Sequence, residues 1–300
     1  MPDRNKSWFC YLPVTPDAKD WGLYVLDAGY TLIPAHTPYP PHQHPEDHHF
    51  KWELGRTLDS YTLVYVTRGR GSFDSVRGGE QNISAGDLFI LFPGEWHRYK
   101  PDPETGWDEH WVEFDGEQAR RIMSHTGFSP ARPVIRVGED DEMLRLFLEI
   151  AESTETQPYG FEHVIAAKTS QIVARALADM RRGEFADRES EDLIRRARAF
   201  LLEHMETDVD LRELARSLGM SYSAFRRLFK KFTGLPPGRY RRAMRIRRAG
   251  ELLRRTRLPV GEIANRLGFD SIYYFSRLFK QETGHAPSEW RERAGRPGAG

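Results

Sequence analysis

The last third of this 300-residue chain contains one pattern of apolar, glycine and basic residues twice. Leu214-Ala215 and Gly219-Met220 recur 49 positions later as Ile263-Ala264 and Gly268-Phe269. After one extra residue, six further positions recur at an offset of 50: Phe225, Leu228, Phe229, Lys230, Thr233 and Gly234 match Phe275, Leu278, Phe279, Lys280, Thr283 and Gly284. The repetition predicts two copies of one supersecondary unit in this region.

Each copy has the spacing of two short helices joined by a turn. The apolar period of the first helix is about 3.6 residues, and it is carried by Leu211, Leu214, Ala215 and Leu218. Gly219 is suited to ending that helix in a left-handed conformation, and Ser221 is placed to cap the next one. Ser271 takes the capping role in the second copy. The layout predicted for both copies is helix-turn-helix.

The second helix of each copy has an apolar face and a polar face. In the first copy the apolar residues Phe225, Leu228, Phe229 and Phe232 recur at i, i+3, i+4 and i+7, and in the second copy Phe275, Leu278 and Phe279 recur at i, i+3 and i+4, which predicts a core face in each. The polar face of the first copy consists of Tyr222, Ser223, Arg226, Arg227 and Lys230. That of the second copy consists of Tyr273, Tyr274, Arg277 and Lys280. These nine residues are the candidate DNA contacts, because a recognition helix presents such donors to a major groove. A bundle of amphipathic helices with solvated basic faces is the alternative interpretation.

Charge is divided unevenly along the chain. Residues 191–300 hold 24 Lys and Arg against 13 Asp and Glu, whereas residues 1–190 hold 20 against 31. Nine arginines crowd the segment between the two copies: Arg239, Arg241, Arg242, Arg245, Arg247, Arg248, Arg254, Arg255 and Arg257. The basic segment predicts a surface that follows DNA phosphates.

Length and composition limit the class of protein. A chain of 300 residues is long enough for two domains with separate cores. The single cysteine, Cys10, has no partner for an intrachain disulfide. No apolar run reaches the roughly 18 residues of a membrane span or forms the core of a signal peptide. We therefore expect a soluble cytoplasmic protein.

The first 116 residues have the alternation of short β-strands. Residues 61–67, 88–92 and 111–114 are rich in aromatic and β-branched side chains, and Gly and Pro separate them. Gly69 and Gly71 mark a point where the first of these strands would bend or turn. The pattern predicts an antiparallel barrel or jelly roll.

The sequence between the two regions predicts helices. Apolar stripes run through residues 140–182, and this helical segment is either a dimer interface or a cover for its own barrel. The whole chain is thus α+β and multidomain. Its predicted parts are a barrel over 1–139, the helical dimerisation segment over 140–182, a linker over 183–192, a DNA-binding domain over 193–293 and a disordered tail over 294–300.

Motifs in both halves of the chain carry a family resemblance. Residues 221–234, Arg245-Ile246-Arg247-Arg248-Ala249, Phe275-Ser276-Arg277-Leu278-Phe279-Lys280 and Pro287 closely resemble the DNA-binding domain of the AraC/XylS transcription regulators. The first half is similar to the cupin-type effector domain of that family. That likeness is carried by Gly69-Arg70-Gly71, Gly86-Asp87, Pro93-Gly94-Glu95-Trp96-His97-Arg98-Tyr99 and the strand at Trp111.

The resemblance implies a one-component regulator without a cofactor. Its barrel would bind a small effector, often a sugar in this family, its helices would form a homodimer, and its two helix-turn-helix units would contact adjacent major grooves of promoter DNA. RNA polymerase is a further candidate partner. Arg227 and Arg277 occupy the recognition positions and are expected to contact guanine O6 and N7. Effector identity, operator sequence and the choice between activation and repression stay open.

The resemblance also implies an effector pocket. Sugar-binding members use a tyrosine after the Pro-Gly turn and a tryptophan in the next strand, which correspond to Tyr99 and Trp111. Trp107 and Glu109 lie close by in sequence, and two-residue alternation places Glu109 on the same strand face as Trp111. Arg56 approximates a hydroxyl-binding arginine of the family, although its spacing differs. The alternative for Trp107 and Trp111 is that both fill the barrel core.

A metal-dependent cupin enzyme fused to a DNA-binding domain is the rival interpretation. Its candidate ligands are His42, His44, His48, His49 and His97. However, His42 and His44 lie in a Pro-rich stretch, and no Glu follows them at the spacing that such enzymes use. We therefore expect no bound metal and no enzymatic activity. A passive architectural DNA binder is disfavoured, because it would not need a separate acidic domain.

Overall fold

Residues 7–39, 52–125, 127–183 and 188–294 are described by the computed structural model. They divide between two units, Met1–Ala186 and Asp187–Gly300. Within the described ranges, none of the helices is long and apolar enough to span a bilayer. The first unit holds the strands and the second is helical.

One antiparallel, jelly-roll-like arrangement of eight strands organises the first unit. The strands are β1 Trp8–Tyr11, β2 Tyr24–Ile33, β3 Tyr61–Ser75, β4 Gln81–Ser84, β5 Asp87–Leu91, β6 His97–Pro101, β7 Trp107–Asp115 and β8 Val134–Arg136. The main path runs β1-β2-β7-β3-β5-β8, and β4 and β6 pair with β3. The predicted fold class is confirmed for this half of the chain.

The long strand β3 connects the two parts of the barrel. Its first half pairs with β5 and β7, and its second half pairs with β4 and β6. The strand bends at Gly69, where φ is +80° and the register with β7 shifts just before it. A Cβ atom at this position would lie 2.0 Å from the carbonyl oxygen of Gly106. The strand therefore bends without ending, as the two glycines predicted.

Helices cover the outer face of the main sheet. They are α1 Pro16–Trp21, α2 Glu117–His125, α3 Asp141–Thr156 and α4 Phe161–Gly183. Alternation along β3 directs Tyr65 towards this helical layer, where its ring stacks on Phe147 at 6.0 Å, and directs Val64 and Val66 towards the barrel interior. Burying one such aromatic side chain contributes about 1.5–3 kcal/mol. The helical segment thus packs on its own barrel through one face.

Seven helices form the described part of the second unit. They are α5 Arg188–Glu203, α6 Leu211–Ser217, α7 Tyr222–Thr233, α8 Pro237–Arg255, α9 Val260–Arg266, α10 Ile272–Thr283 and α11 Pro287–Ala294. The pairs α6–α7 and α9–α10 are the two helix-turn-helix units, and the long α8 joins them. This arrangement confirms the predicted fold class of the C-terminal half.

The local signals at the turns are present in both copies. Ser221 accepts a hydrogen bond from the backbone NH of Ala224, and Ser271 accepts one from Tyr274, so both predicted caps are confirmed. Gly219 and Gly268 have φ values of +72° and +66°. The left-handed turns are therefore made by residues that adopt this conformation without a Cβ penalty.

The structure bears on two of the predicted domain boundaries. The linker predicted over 183–192 is shorter, because α4 extends to Gly183 and α5 already begins at Arg188. Acidic Glu189 and Glu191 stabilise the first turn of α5 through the helix dipole, and the apolar residues after them face a core. The predicted disordered tail, 294–300, lies outside the described residues except for Ala294, the last residue of α11. The other predicted domain limits stay predictions.

Candidate nucleic-acid interface and barrel cavity

The polar face of α7 is open to solvent, as a recognition helix requires. Four of its five candidate contact residues are exposed, namely Ser223, Arg226, Arg227 and Lys230. The fifth, Tyr222, is half-buried. On the opposite face Phe225 and Phe229 are fully buried. The helix is thereby fixed to the core while its donors stay available for a partner.

The polar face of α10 has the same design. Tyr273, Tyr274, Arg277 and Lys280 are all exposed, and the Arg277 guanidinium lies 5.9 Å from the centre of the Tyr274 ring. Phe275 and Phe279 bury the other face. Ile272 is also half-exposed at the start of α10, where it was not predicted as a contact. Its apolar side chain is suited to a thymine methyl group.

The arginines of α8 do not all face solvent, which corrects the prediction of a continuous phosphate-binding surface. Arg241 and Arg245 are only 9% and 6% exposed. Their guanidinium groups donate hydrogen bonds to backbone carbonyl oxygens of Met205, Thr207 and Gly268. The two residues are one helical turn apart, so the buried face of α8 carries both of them.

A cavity of about 40 Å³ lies within the barrel. It is lined by Tyr11, Asp27, Arg56, Thr62, Tyr99, Glu109, Trp111 and Glu113. Four of the five predicted effector-binding residues are among these: Arg56, Tyr99, Glu109 and Trp111. The structure thus brings together residues that the sequence separates by up to 55 positions.

Arg56 and Tyr99 form one wall of the cavity. Arg56 precedes β3 and is held by a pair of backbone hydrogen bonds with His97, both 2.9 Å long. This bridge places its guanidinium beside β6, where Nη2 donates to the Tyr99 hydroxyl oxygen at 3.1 Å. Burial raises the pKa of the Tyr99 phenol. The phenol therefore stays protonated and keeps a hydrogen to donate.

Trp107 is not part of the cavity lining. Its side chain is 0% exposed and belongs to the apolar core of the barrel, with its ring 6.0 Å from that of Tyr99. Trp107 shares a strand face with Trp111, but Trp107 is the first residue of β7, whereas Trp111 lies in the middle of the strand. The structure thus places Trp107 beside Tyr99 in the core and not in the lining where the sequence analysis expected it.

Two carboxyl groups in the lining were missed by the sequence analysis. Asp27 on β2 and Glu113 on β7 are direct cross-strand partners, and Trp111 Nε1 donates to Asp27 Oδ1 at 2.5 Å. Glu113 also accepts a hydrogen bond from the Ser60 hydroxyl. Two-residue alternation from Glu109 and Trp111 would have identified Glu113. Nothing local in the sequence indicates Asp27.

Burial keeps protons on the acidic groups of the cavity. It raises the pKa of Asp27 well above its usual range, and the hydrogen bond to the Glu113 carboxyl raises it further. Burial also raises the pKa of Glu109 to about 8, although the Arg56 charge opposes this shift. The cavity therefore carries less negative charge at neutral pH than its three carboxyl groups suggest.

Oε2 of Glu109, whose residue is 4% exposed, and Oγ1 of Thr62 have no hydrogen-bond partner among the described residues. A buried polar group without a partner costs about 1–3 kcal/mol. Both atoms are thus favourable positions for groups of a bound ligand.

Of the five histidines named as candidate metal ligands, His97 is the one that lies among the described residues. It is buried, and burial followed by the nearby Arg56 charge lowers its pKa to about 4. His42, His44, His48 and His49 lie outside the described residues. Within the described ranges, no three His, Cys, Asp or Glu side chains form a group that could hold a metal ion.

Comparison with known proteins matches both units. Residues 37–167 match the AraC-like ligand binding domain, and residues 214–293 match a helix-turn-helix domain. The MmsAB operon regulatory protein of Pseudomonas aeruginosa is 28% identical over 78% of this chain and 76% of its own length. The arabinose operon regulatory protein of Salmonella typhimurium is 28% identical over 78% of this chain and 84% of its own length.

Among solved structures, one similar to this chain is the DNA-binding domain of AdpA, a global transcriptional factor, in complex with a target DNA. It is 31% identical over 35% of this chain and 97% of the AdpA chain, with a TM-score of 0.33. The two matched domains follow each other in the order that the structure shows, a strand-rich ligand-binding unit and then a double helix-turn-helix unit. The chain belongs to the AraC/XylS family of transcription regulators.

Proposed function

We propose that the barrel cavity binds a sugar or a sugar-derived polyol and that this ligand controls binding of promoter DNA by the two helix-turn-helix units. The observation that carries the proposal is the composition of the cavity lining. An indole beside hydroxyl, carboxyl and guanidinium groups suits a ligand with C–H faces and many hydroxyls. The name of the arabinose operon relative supports the same class of effector.

The unpartnered atoms of Glu109 and Thr62 give the ligand specific contacts. Protonated Glu109 donates to a ligand oxygen, and its ionised form accepts from a hydroxyl, so either state can bind a polyol. A cavity of about 40 Å³ holds only a few waters, so a sugar requires it to widen. Tyr11 is the exposed member of the lining and is the side chain we expect to move.

A ligand screen against the full chain tests this proposal. An effector present at 100 times its Kd stabilises the folded state by about 2.7 kcal/mol. Pentoses, hexoses, deoxyhexoses and uronic acids are compared by thermal unfolding, followed by tryptophan fluorescence. Six of the seven tryptophans lie in the first unit, so the signal reports mainly on the barrel.

Substitutions at the cavity locate the binding site. Trp111→Ala and Arg56→Ala are expected to abolish the stabilisation, whereas Trp21→Ala, which removes an exposed indole on α1, should retain it. A stabilising sugar whose effect survives both cavity substitutions would place the site elsewhere. No stabiliser in any of the four sugar classes would contradict a sugar effector.

We also propose that the protein is a homodimer through α4. The exposed side of this helix carries Val164, Ala167, Gln171, Ala174 and Ala178, at alternating spacings of three and four residues. Such spacing is typical of a seam between two helices. Ala174→Glu should convert a dimer into a monomer in sedimentation velocity, and Ala131→Glu, at an exposed loop alanine, should not. A monomeric parent protein at micromolar concentration would contradict this part of the proposal.

The proposal makes the protein a cytoplasmic regulator rather than an enzyme. RNA polymerase stays a candidate partner in this scheme. The rival metal-dependent enzyme is tested by metal analysis of protein purified without a histidine tag. Stabilisation of the barrel by iron or manganese alone, dependent on His42 or His44, would favour the enzyme instead.

A further inference from the structure

The two helix-turn-helix units have separate apolar cores within the described residues. One cluster joins α5, α6 and α7 around Phe225 and Phe229, and Tyr240 near the start of α8 packs against it. The other joins α8, α9, α10 and α11 around Phe275 and Phe279. Apolar packing holds each recognition helix in its own unit. The angle and distance between the two units therefore depend on α8 and on the polar contacts around it.

Arg245 on α8 contacts the backbone of both units. Its Nε donates to the carbonyl oxygen of Met205 at 2.8 Å, and its Nη2 donates to that of Thr207 at 2.7 Å. Both acceptors lie in the segment between α5 and α6. Its Nη1 donates to the carbonyl oxygen of Gly268 at 3.0 Å, in the turn between α9 and α10. One buried guanidinium thus connects the first helix-turn-helix unit to the turn of the second helix-turn-helix unit.

Arg241 supports the same connection one helical turn earlier. It donates to the carbonyl oxygen of Thr207, which Arg245 also contacts, and its Nη1 lies 3.6 Å from Oδ1 of Asp208. The Arg245 guanidinium also lies 5.8 Å from the centre of the Phe269 ring. Hydrogen bonds from a charged, planar guanidinium are strong and directional, so this cluster resists sliding of one unit against the other.

Of the two turn glycines, only Gly268, in the second helix-turn-helix unit, lies against the Arg245 guanidinium. A Cβ atom at Gly268 would lie 2.7 Å from Arg245 Nη2, the atom that bonds to Thr207. A Cβ atom at Gly219, the equivalent position of the first helix-turn-helix unit, would meet nothing within 4 Å. Both glycines have positive φ. Gly268 therefore has a second requirement, room for the guanidinium, which its counterpart lacks.

We propose that Arg245, assisted by Arg241, is a positioning residue that fixes the spacing between the two recognition helices for simultaneous binding of two major grooves. A rigid connection raises the effective concentration of the second helix once the first is bound. Loss of the connection should weaken binding to a complete site and leave binding to one half of it nearly unchanged. This effect is independent of any sugar bound in the barrel.

The test uses the full chain and duplexes selected in vitro for binding to it. Affinity is measured for the complete site and for a site with one half scrambled, and the ratio of the two gives the advantage of binding both grooves. Arg245→Met should lower this ratio about tenfold, since the units no longer hold the spacing of the grooves. Arg245→Lys should also lower it, because one ammonium group does not reproduce the three-way fork.

An equal loss of charge provides the control. Arg247→Met removes an exposed arginine from the same helix and should weaken both duplexes alike, so the ratio is preserved. Inserting one base pair between the two halves of the site should weaken DNA binding by the parent protein more than binding by Arg245→Met, because the variant tolerates altered spacing. An unchanged ratio for Arg245→Met, with the parent response to the insertion, would overturn the proposal.

The glycine pair decides the outcome even if Arg245→Met unfolds. Gly219→Ala and Gly268→Ala impose a similar strain at positive φ, but only the second displaces the Arg245 guanidinium. Gly268→Ala should lower the complete-site ratio, and Gly219→Ala should leave it at the parent value. Equal ratios for the two variants would show that Arg245 does not position the helices.

Discussion

The barrel cavity and the recognition helices both collect polar side chains, but the cavity buries them and the helices expose them. Asp27 and Glu109 are 6% and 4% exposed, whereas Arg227 and Arg277 face solvent. A buried carboxyl changes its pKa and so couples ligand binding to the stability of the unit. An exposed arginine contributes little to stability and is free to bind a partner.

The largest effect should come from the exposed arginines. Arg227→Ala and Arg277→Ala should each weaken binding to the selected site by about 1–3 kcal/mol and relax base preference at one position. Neither should change the free energy of unfolding by more than about 0.5 kcal/mol, because both side chains are exposed. Mobility-shift titration and urea unfolding measure the two quantities.

Arg216→Ala is a matched control for these variants, since it removes an exposed arginine from α6. It should leave base preference intact. If Arg227→Ala and Arg277→Ala both bind the selected site like the parent protein, the assignment of these side chains to the major groove is wrong.

A smaller effect should appear in the pH dependence of barrel stability. Glu109 has a folded-state pKa of about 8, well above that of an unfolded chain, so the folded state holds the proton more tightly. Stability from this group is complete below about pH 4.5 and is lost as pH rises towards 8. The slope is about 1.4 kcal/mol per pH unit. Asp27 acts in the same direction.

Two histidines oppose this slope at lower pH. Burial lowers the pKa of His97 and of His110 to about 4, so each contributes stability that increases from about pH 4 to 6.5. The carboxyl groups therefore dominate between about pH 6.5 and 8, where unfolding free energy should fall by about 2 kcal/mol. Tryptophan fluorescence in urea measures this fall.

Glu109→Gln should reduce the slope in this window, because the amide does not titrate and the contribution of Asp27 remains. Glu104→Gln, at an exposed loop position, provides the control and should keep the parent curve. A parent curve that is flat between pH 6.5 and 8 would contradict the buried, protonated Glu109.

Local signals explain why the DNA-binding half was predicted in detail. Caps at Ser221 and Ser271 and left-handed turns at Gly219 and Gly268 depend on residues within a few positions of each other. The burial of Arg241 and Arg245 was not predicted, because it depends on how α8 packs against two distant turns. A run of arginines has the same composition whether its members face phosphates or carbonyl groups.

The cavity was predicted only in part, because strand pairing assembles it. Tyr99 on β6 and Trp111 on β7 were implied by the family resemblance, and two-residue alternation added Glu109. Asp27 enters through the register of β2 with β7, which places it opposite Glu113 across a separation of 86 residues. Sequence alternation gave Trp107 and Trp111 the same face, but only barrel closure determines which of them lines the cavity.

The smallest effect should distinguish lysines from arginines on the recognition helices. Lys230 and Lys280 lie three residues beyond Arg227 and Arg277, near the last turn of each helix, where phosphate contact is expected rather than base contact. Lys230→Ala and Lys280→Ala should weaken binding to all duplexes alike and reduce the salt slope by about 0.9 each. Affinities for selected and random duplexes between about 50 and 200 mM salt measure this slope. Lys19→Ala removes an exposed lysine from the barrel unit and should leave the slope unchanged. A loss of affinity confined to the selected site would place these lysines at base edges and remove the distinction between the two residue types.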